Sequence, residues 1–239
     1  MERPPVTEPL AVIVTAPGTN RDRDVAEAFE KAGARAERCS MQSLRESSAR
    51  IRDVQMLVFA GGFSHADALG AGTVWANDVH AYLADEVRAF IDAGNLVIGI
   101  CNGFQTLVRA GLLPGSLAHN ASGTFTCRWV ELEATATPCA WTAGITEPIA
   151  CPVAHGEGRF VADDATSTAS AALTYGGGTN PNGSMHDIAG VTDPTGRVLG
   201  LMPHPENHID PSQHPRHHRG GRGGSGLAIF EAGVRHFRG

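Results

Sequence analysis

Gly94-Asn95-Leu96-Val97-Ile98-Gly99-Ile100-Cys101-Asn102-Gly103-Phe104-Gln105-Thr106-Leu107-Val108-Arg109-Ala110-Gly111 is the stretch from which the fold can be read. Leu96 to Ile100 is a short apolar run rich in β-branched residues, the pattern of a strand buried on both faces of a parallel sheet. Phe104, Leu107 and Val108 then recur at helical spacing, and Gly111 is placed to cap the helix C-terminus. Between strand and helix, Gly99-Ile100-Cys101-Asn102-Gly103 has the spacing of a nucleophile elbow, with cysteine where serine is more familiar. The flanking glycines allow a sharp turn that lifts the thiol onto the helix N-terminus, where unpaired N–H groups favour a thiolate. An isolated cysteine in an apolar run is usually an inert core residue. Glycines on both sides, after a strand and before a helix, make Cys101 a candidate nucleophile instead.

Working outward, Leu10 to Val14 reads as a strand, followed by a helix capped by Asn20 or Asp22 with Val25, Ala28, Phe29 and Ala32 on its core face, ending at Gly33. Ala34 to Cys39 and Val54 to Ala60 are further strands, the latter running into Gly61-Gly62-Phe63-Ser64-His65-Ala66-Asp67. Val79, Leu83, Val87, Phe90 and Ile91 line one side of a helix that stops at Gly94. Strands alternating with helices predict βαβ units and an open, doubly wound, mostly parallel α/β sheet, whose ligands bind beyond the carboxyl ends of its strands. Gly61-Gly62 and Cys101 both belong at that edge.

Past Pro114 the texture changes. Phe125 to Ala134 and Pro148 to Ala154 predict antiparallel additions, Asp163 to Ala172 a helix, and Ile188 to Val191 with Val198 to Met202 a hairpin about Asp193-Pro194-Thr195-Gly196. Residues 1–9 read as a loose arm and 207–226, rich in His, Arg and Gly, as a mobile loop before a closing helix with Leu227, Phe230, Val234 and Phe237. One domain spanning 1–239 is expected.

With 42% hydrophobic and 18% charged residues, the composition is that of an ordinary globular protein. A net charge of −6 gives no indication of a nucleic-acid or anionic-membrane binder. No apolar stretch is long enough to span a bilayer, and no secretory pattern opens the chain. Five cysteines without a CxxC pair argue against a disulfide framework or structural zinc site, and for a reducing cytoplasm.

A cysteine nucleophile needs a base, a group to orient that base, and donors for an oxyanion. The backbone N–H groups of Gly62 and Asn102 are the candidate donors. Of eleven histidines, His204 stands out in Met202-Pro203-His204-Pro205-Glu206, directly after a predicted strand. The prolines oppose helix, so His204 and Glu206, two apart in an extended segment, can point the same way. Glu206 can then hold the imidazole's tautomer. His208, His214, His217 and His218 are read as belonging to a solvated segment, with no metal site. No P-loop, dinucleotide fingerprint or zinc helix is present, so no cofactor is expected in this chain.

Gly99-Ile100-Cys101-Asn102-Gly103-Phe104-Gln105 with Pro203-His204-Pro205-Glu206 resembles the class I (triad) glutamine amidotransferases. More narrowly, Pro17-Gly18-Thr19-Asn20, Gly61-Gly62-Phe63-Ser64, His155-Gly156-Glu157-Gly158 and Asn180-Pro181-Asn182-Gly183-Ser184 are similar to the glutaminase subunits of phosphoribosylformylglycinamidine synthases. The resemblance spans nearly the whole chain. It implies a flavodoxin-like sheet, a Cys101–His204–Glu206 triad acting on L-glutamine, and ammonia delivery to a separate synthase in purine biosynthesis. That synthase would carry ATP and magnesium, a small accessory subunit can accompany it, and Gln105 would help shape the glutamine pocket. The chain departs from the family where His65-Ala66-Asp67 replaces Tyr-Gly-Asp, where Asn207 replaces arginine, and in a longer 207–226 loop. If a positive φ is required there, Ala66 is strained. Two other classes stay open on the residues alone: a different cysteine hydrolase of the same architecture, and a non-catalytic metal-binding subunit using the histidines.

Overall fold

The computed structural model describes residues 6–220 and 225–238. In chain order the elements are β1 (Leu10–Thr15), α1 (Asp22–Lys31), β2 (Arg35–Ser40), α2 (Met41–Glu46), β3 (Met56–Phe59), α3 (Thr73–Tyr82), α4 (Ala84–Asp92), β4 (Leu96–Ile100) and α5 (Asn102–Arg109). There follow β5 (Ser116–Ala118), β6 (Thr126–Ala134), β7 (Ile149–His155), β8 (Arg159–Val161), α6 (Asp164–Ser170), β9 (Ala171–Tyr175), β10 (Ile188–Thr192), β11 (Val198–Leu201) and α7 (Leu227–Arg238).

Nine strands form one sheet in the order β2-β1-β3-β4-β11-β10-β9-β6-β7, with β5 and β8 as a separate pair. The first five run parallel and the last four join antiparallel. This is the doubly wound, flavodoxin-like α/β sheet with antiparallel additions that the sequence predicts. Every residue of β3 and β4 is buried, as their unbroken apolar sequences require when helices cover both faces. Because β2 and β3 lie on opposite sides of β1, right-handed crossovers put α1 on one face and α3 on the other. On the first face Phe29 of α1 meets Phe230 of α7 edge-on, with ring centroids 5.1 Å apart. On the second, Phe59 of β3 packs against Trp75 of α3 at 5.5 Å.

Several local expectations change. The helix read through Val79 to Ile91 is two helices, because Leu83 leaves helical geometry (φ −136°) and the chain restarts at Ala84. Its buried side chain keeps the apolar spacing intact across the break, which hides the break from the pattern. Neither Asn20 nor Asp22 caps α1; Arg21 occupies the cap without a side-chain bond, and Asp22 sits in the first turn. The Asp163–Ala172 helix ends at Ser170, and Ala171 begins strand β9. Of the arm, residues 1–5 lie outside the described residues, but the rest is tied down: the Val6 N–H donates to the Phe237 carbonyl at 2.8 Å, and Pro9 is buried. Among the described residues no helix is long and apolar enough to cross a membrane.

Candidate active site

The elbow is built by close approach. A Cβ at Gly99 would strike the Gly103 backbone, and one at Gly103 would strike the Phe59 carbonyl oxygen of the neighbouring strand. Only with hydrogen at both places can β4 turn into α5 against β3. Cys101, between them, is forced to φ 50°, ψ −104°, a conformation that side-chain-bearing residues rarely adopt. Its N–H donates to the Leu201 carbonyl at 2.8 Å, which anchors the turn to β11. Its Sγ lies 3.7 Å from the Ala154 carbonyl oxygen.

Three residues past β11, His204 donates its backbone N–H to the Pro152 carbonyl at 2.8 Å. Its Nδ1 lies 2.7 Å from Glu206 Oε1, and its ring is near enough to Cys101 to interact with it electrostatically. Glu206 is wholly buried, and its Oε2 has no hydrogen-bond partner among the described residues. Burial works against the imidazolium of His204. The charges of Glu206 and Cys101 outweigh it, and the pKa rises to about 10. The carboxylate and the sulfur together favour the protonated ring. Cys151 lies close enough to feel the charge of Glu206, and burial first and Glu206 second push its thiol well above the ordinary range.

Gly61-Gly62 closes the site from the end of β3. Gly61 is packed so near His204 that an added Cβ would lie 2.8 Å from the ring's Cε1. Gly62 (φ 148°) is bridged to Thr19 through its neighbours' hydrogen bonds, and its own N–H has no acceptor among the described residues. The N–H of Asn102, in the first turn of α5, is free of helical pairing by position. These two donors can face a developing oxyanion beside Sγ. Cys101 opens on a pocket of about 180 Å³ whose lining includes Gly62, Asp67, Gln105, His155 and Glu157. A larger cavity of about 550 Å³ lies beside Trp129 and His214, but no cysteine lines it. Chemistry, not size, identifies the smaller pocket as the candidate site.

Residues 8–237 match the CobB/CobQ-like glutamine amidotransferase domain. The chain belongs to that family. It is similar to the phosphoribosylformylglycinamidine synthase subunit PurQ of Treponema denticola, 42% identical over 240 residues (84% of this chain, 89% of the relative). The subunit of the same name from Dehalococcoides mccartyi is 39% identical over 245 residues, covering 94% of this chain and 96% of that one. Among solved structures, a chain of PurLQS from Thermotoga maritima superposes with a TM-score of 0.81 at 34% identity, over 95% of this chain and 98% of that one.

In this amidotransferase, Cys101, His204, Glu206, Gly62 and Asn102 lie near one another at the carboxyl end of β3 and β4. Gln105 lines the pocket, and its side chain is engaged on both sides: Oε1 accepts from Asn102 Nδ2 at 3.0 Å, and Nε2 donates to the Glu157 carbonyl at 2.6 Å. Asp67, Glu157 and His155 are among the pocket residues that the sequence does not mark as site residues. Their positions next to Gly-Gly-Phe-Ser and within His-Gly-Glu-Gly were the available signal. His155 is 2% exposed, with Nδ1 3.1 Å from Asn120 Oδ1. Burial, and then the charge of His204, lower its pKa to about 4, so it is neutral where His204 is charged.

The amidotransferase corrects one expectation about its histidine-rich segment. His208 is not solvated; it is fully buried, 2.5 Å from the Ala150 carbonyl through Nδ1, with its ring edge-on to Trp129 at 5.0 Å. His214 also packs on Trp129, at 4.9 Å. Short 3₁₀ turns at Pro205–Asn207, Pro211–Gln213 and His217–Arg219 occupy much of what reads as loop, and residues 221–224 lie outside the described residues.

Proposed function

We propose that this chain is the glutaminase subunit of a phosphoribosylformylglycinamidine synthase in purine biosynthesis, and that it works in the cytoplasm. The observation that carries the reading is an elbow thiol paired with a carboxylate-bound histidine, in a chain matching PurQ subunits over most of its length. The Cys101 thiolate attacks the carboxamide carbon of L-glutamine, and the Gly62 and Asn102 N–H groups hold the resulting oxyanion. The C–N bond breaks as the nitrogen takes the His204 proton and leaves as ammonia. His204 then removes a proton from water, which attacks the γ-glutamyl thioester; the C–S bond breaks and glutamate departs. Glu206 keeps the ring oriented throughout. The ammonia passes to a synthase subunit, which supplies the ATP and magnesium of the amidation, with a small accessory subunit completing the assembly.

The test is glutamine hydrolysis by the chain alone and with its synthase, in wild type and Cys101→Ala. The substitution is expected to abolish glutamine-dependent amidation while ammonia-dependent amidation by the assembled complex persists. Glutamine turnover at the wild-type rate in Cys101→Ala would refute the reading. Hydrolysis by the isolated wild-type chain is expected to be weak and strongly stimulated by the loaded synthase.

A further inference from the structure

A cavity of about 610 Å³, within the usual range for small-molecule pockets, lies at the end of the sheet remote from Cys101. Gly94, just before β4, and Gly196 and Arg197, just before β11, place it at the amino ends of those strands, whereas Cys101 follows the carboxyl end of β4. The segment 135–146 and His236 of α7 close its other sides.

Strand alternation gives Arg197 its direction. Its carbonyl accepts from the Val97 N–H at 3.0 Å, which carries the β4–β11 ladder one residue further. A Cβ at Gly200 would meet Phe104 of α5, so Leu199 and Arg197 face the opposite side of the sheet. That side carries α7 and Trp141, whose ring lies against Gly233. In this place the Arg197 guanidinium has no ion pair or hydrogen bond among the described residues, and its Nε is shut off from solvent. Asp193, close by in sequence, is occupied elsewhere: Oδ1 accepts from the Arg197 and Val198 N–H groups at 3.0 and 2.8 Å, and Oδ2 from Thr195. No Asp or Glu lines the cavity. A guanidinium shielded in this way is stabilised by an anion at hydrogen-bond distance, and its planar fork matches a phosphate.

The rest of the lining narrows the kind of anion. His236 adds a second basic group, and the last turn of α7 also brings Arg235, which donates to the Ala143 carbonyl at 3.1 Å. Five threonines line the cavity. Thr135 and Thr195 direct their hydroxyls to the Ala171 carbonyl and to Asp193, whereas the Thr137 and Thr146 hydroxyls have no hydrogen bond among the described residues. The His236 imidazole is the one aromatic ring in the lining, which leaves a nucleobase little to stack on. We propose that this cavity binds a sugar phosphate, with Arg197 on the phosphate and Thr137 and Thr146 on the sugar hydroxyls. The site is separate from the Cys101 pocket, and the proposal stands whether or not that pocket takes glutamine.

The experiment is calorimetric titration of the full chain with ribose 5-phosphate, and separately with inorganic phosphate, ribose and adenosine 5′-monophosphate. Ribose 5-phosphate is expected to bind at least about tenfold more tightly than inorganic phosphate, ribose not to bind measurably, and the nucleotide to gain nothing over the sugar phosphate. Arg197→Gln should weaken ribose 5-phosphate about 10- to 100-fold, the range of a hydrogen bond to a charged group. Thr137→Val and Thr146→Val, which leave the guanidinium in place, should each weaken it about 2- to 10-fold and leave inorganic phosphate unchanged. Cys101→Ala should bind it as wild type does. Absence of binding to wild type, or unaltered binding in Arg197→Gln, would overturn the proposal. Inorganic phosphate binding as tightly as the sugar phosphate would overturn it too, as would tighter binding of the nucleotide or loss of binding in Cys101→Ala.

Discussion

Ala66→Gly should stabilise the protein, although substituting glycine for alanine usually does the reverse. Ala66 is exposed, so its methyl group contributes little packing, and its φ of 55° lies in the left-handed region. Its N–H donates to the Phe63 carbonyl at 2.9 Å, a bond that glycine keeps. A left-handed conformation costs an L-residue roughly 1–2 kcal/mol, which glycine recovers. Against this stands a loss of roughly 0.4–1 kcal/mol, because glycine enlarges the unfolded ensemble. The balance is a gain of about 0.5–1 kcal/mol, or about 1–4 °C in Tm for a chain of this size. Ala68 supplies an internal control: it is also exposed, two residues on, but at φ −54°. Ala68→Gly has no strain to release and should lower stability by about 0.4–1 kcal/mol. Urea and thermal unfolding of the two variants therefore ought to move in opposite directions. A fall in Tm for both would show that residue 66 is not held left-handed, and the account of the 65–67 turn would fail with it.

Gly61→Ala brings a Cβ to 2.8 Å from His204 Cε1 and should lower kcat for glutamine about 100-fold by displacing the ring; steady-state kinetics at an unchanged fold would check this, and an intact kcat would count against the packing. Acidification should expose His155. Its folded pKa of about 4 lies below the unfolded 6.5, so the unfolded chain binds the proton first and stability falls from pH 6.5 down to about 4. The loss is on the order of 3 kcal/mol from this group, read as a shallower pH dependence of the urea midpoint in His155→Gln. His208→Ala should destabilise by on the order of 2 kcal/mol through lost burial and hydrogen bonding, whereas His217→Ala with His218→Ala should leave the melting curve in place.

What could be read from the sequence was what is local. The elbow declares itself because both glycines are needed within a single turn: any side chain at Gly103 would meet Phe59. His204 and Glu206 were legible as a pair, but the extended segment expected for them is a 3₁₀ turn at Pro205–Asn207, and that turn brings the carboxylate to the ring. Relations between distant segments were not legible. Nothing near Val198 says that β11 returns beside β4, and nothing near Asp67 says that Glu157 will face it. His208 sits among prolines, glycines and arginines that read as solvated, and Trp129 of β6 and the Ala150 carbonyl of β7 make its place an interior. The break at Leu83 stayed hidden because a buried leucine satisfies the apolar period whether or not the helix is continuous.

The pairing of β4 with β11 fixes more than strand order. Leu201 lies opposite Ile100, so the segments that carry thiol and imidazole leave the sheet side by side from neighbouring strands. The His204 N–H then bonds to the Pro152 carbonyl, so β7 as well as the β4–β11 ladder holds the imidazole in place. The Gly61-Gly62 turn is moored by a different set of main-chain bonds, from the N–H groups of Asn20 and Arg21 to the Gly61 carbonyl and from the Phe63 N–H to the Gly18 carbonyl, so it is held to the loop after β1 and not to the β4–β11 ladder.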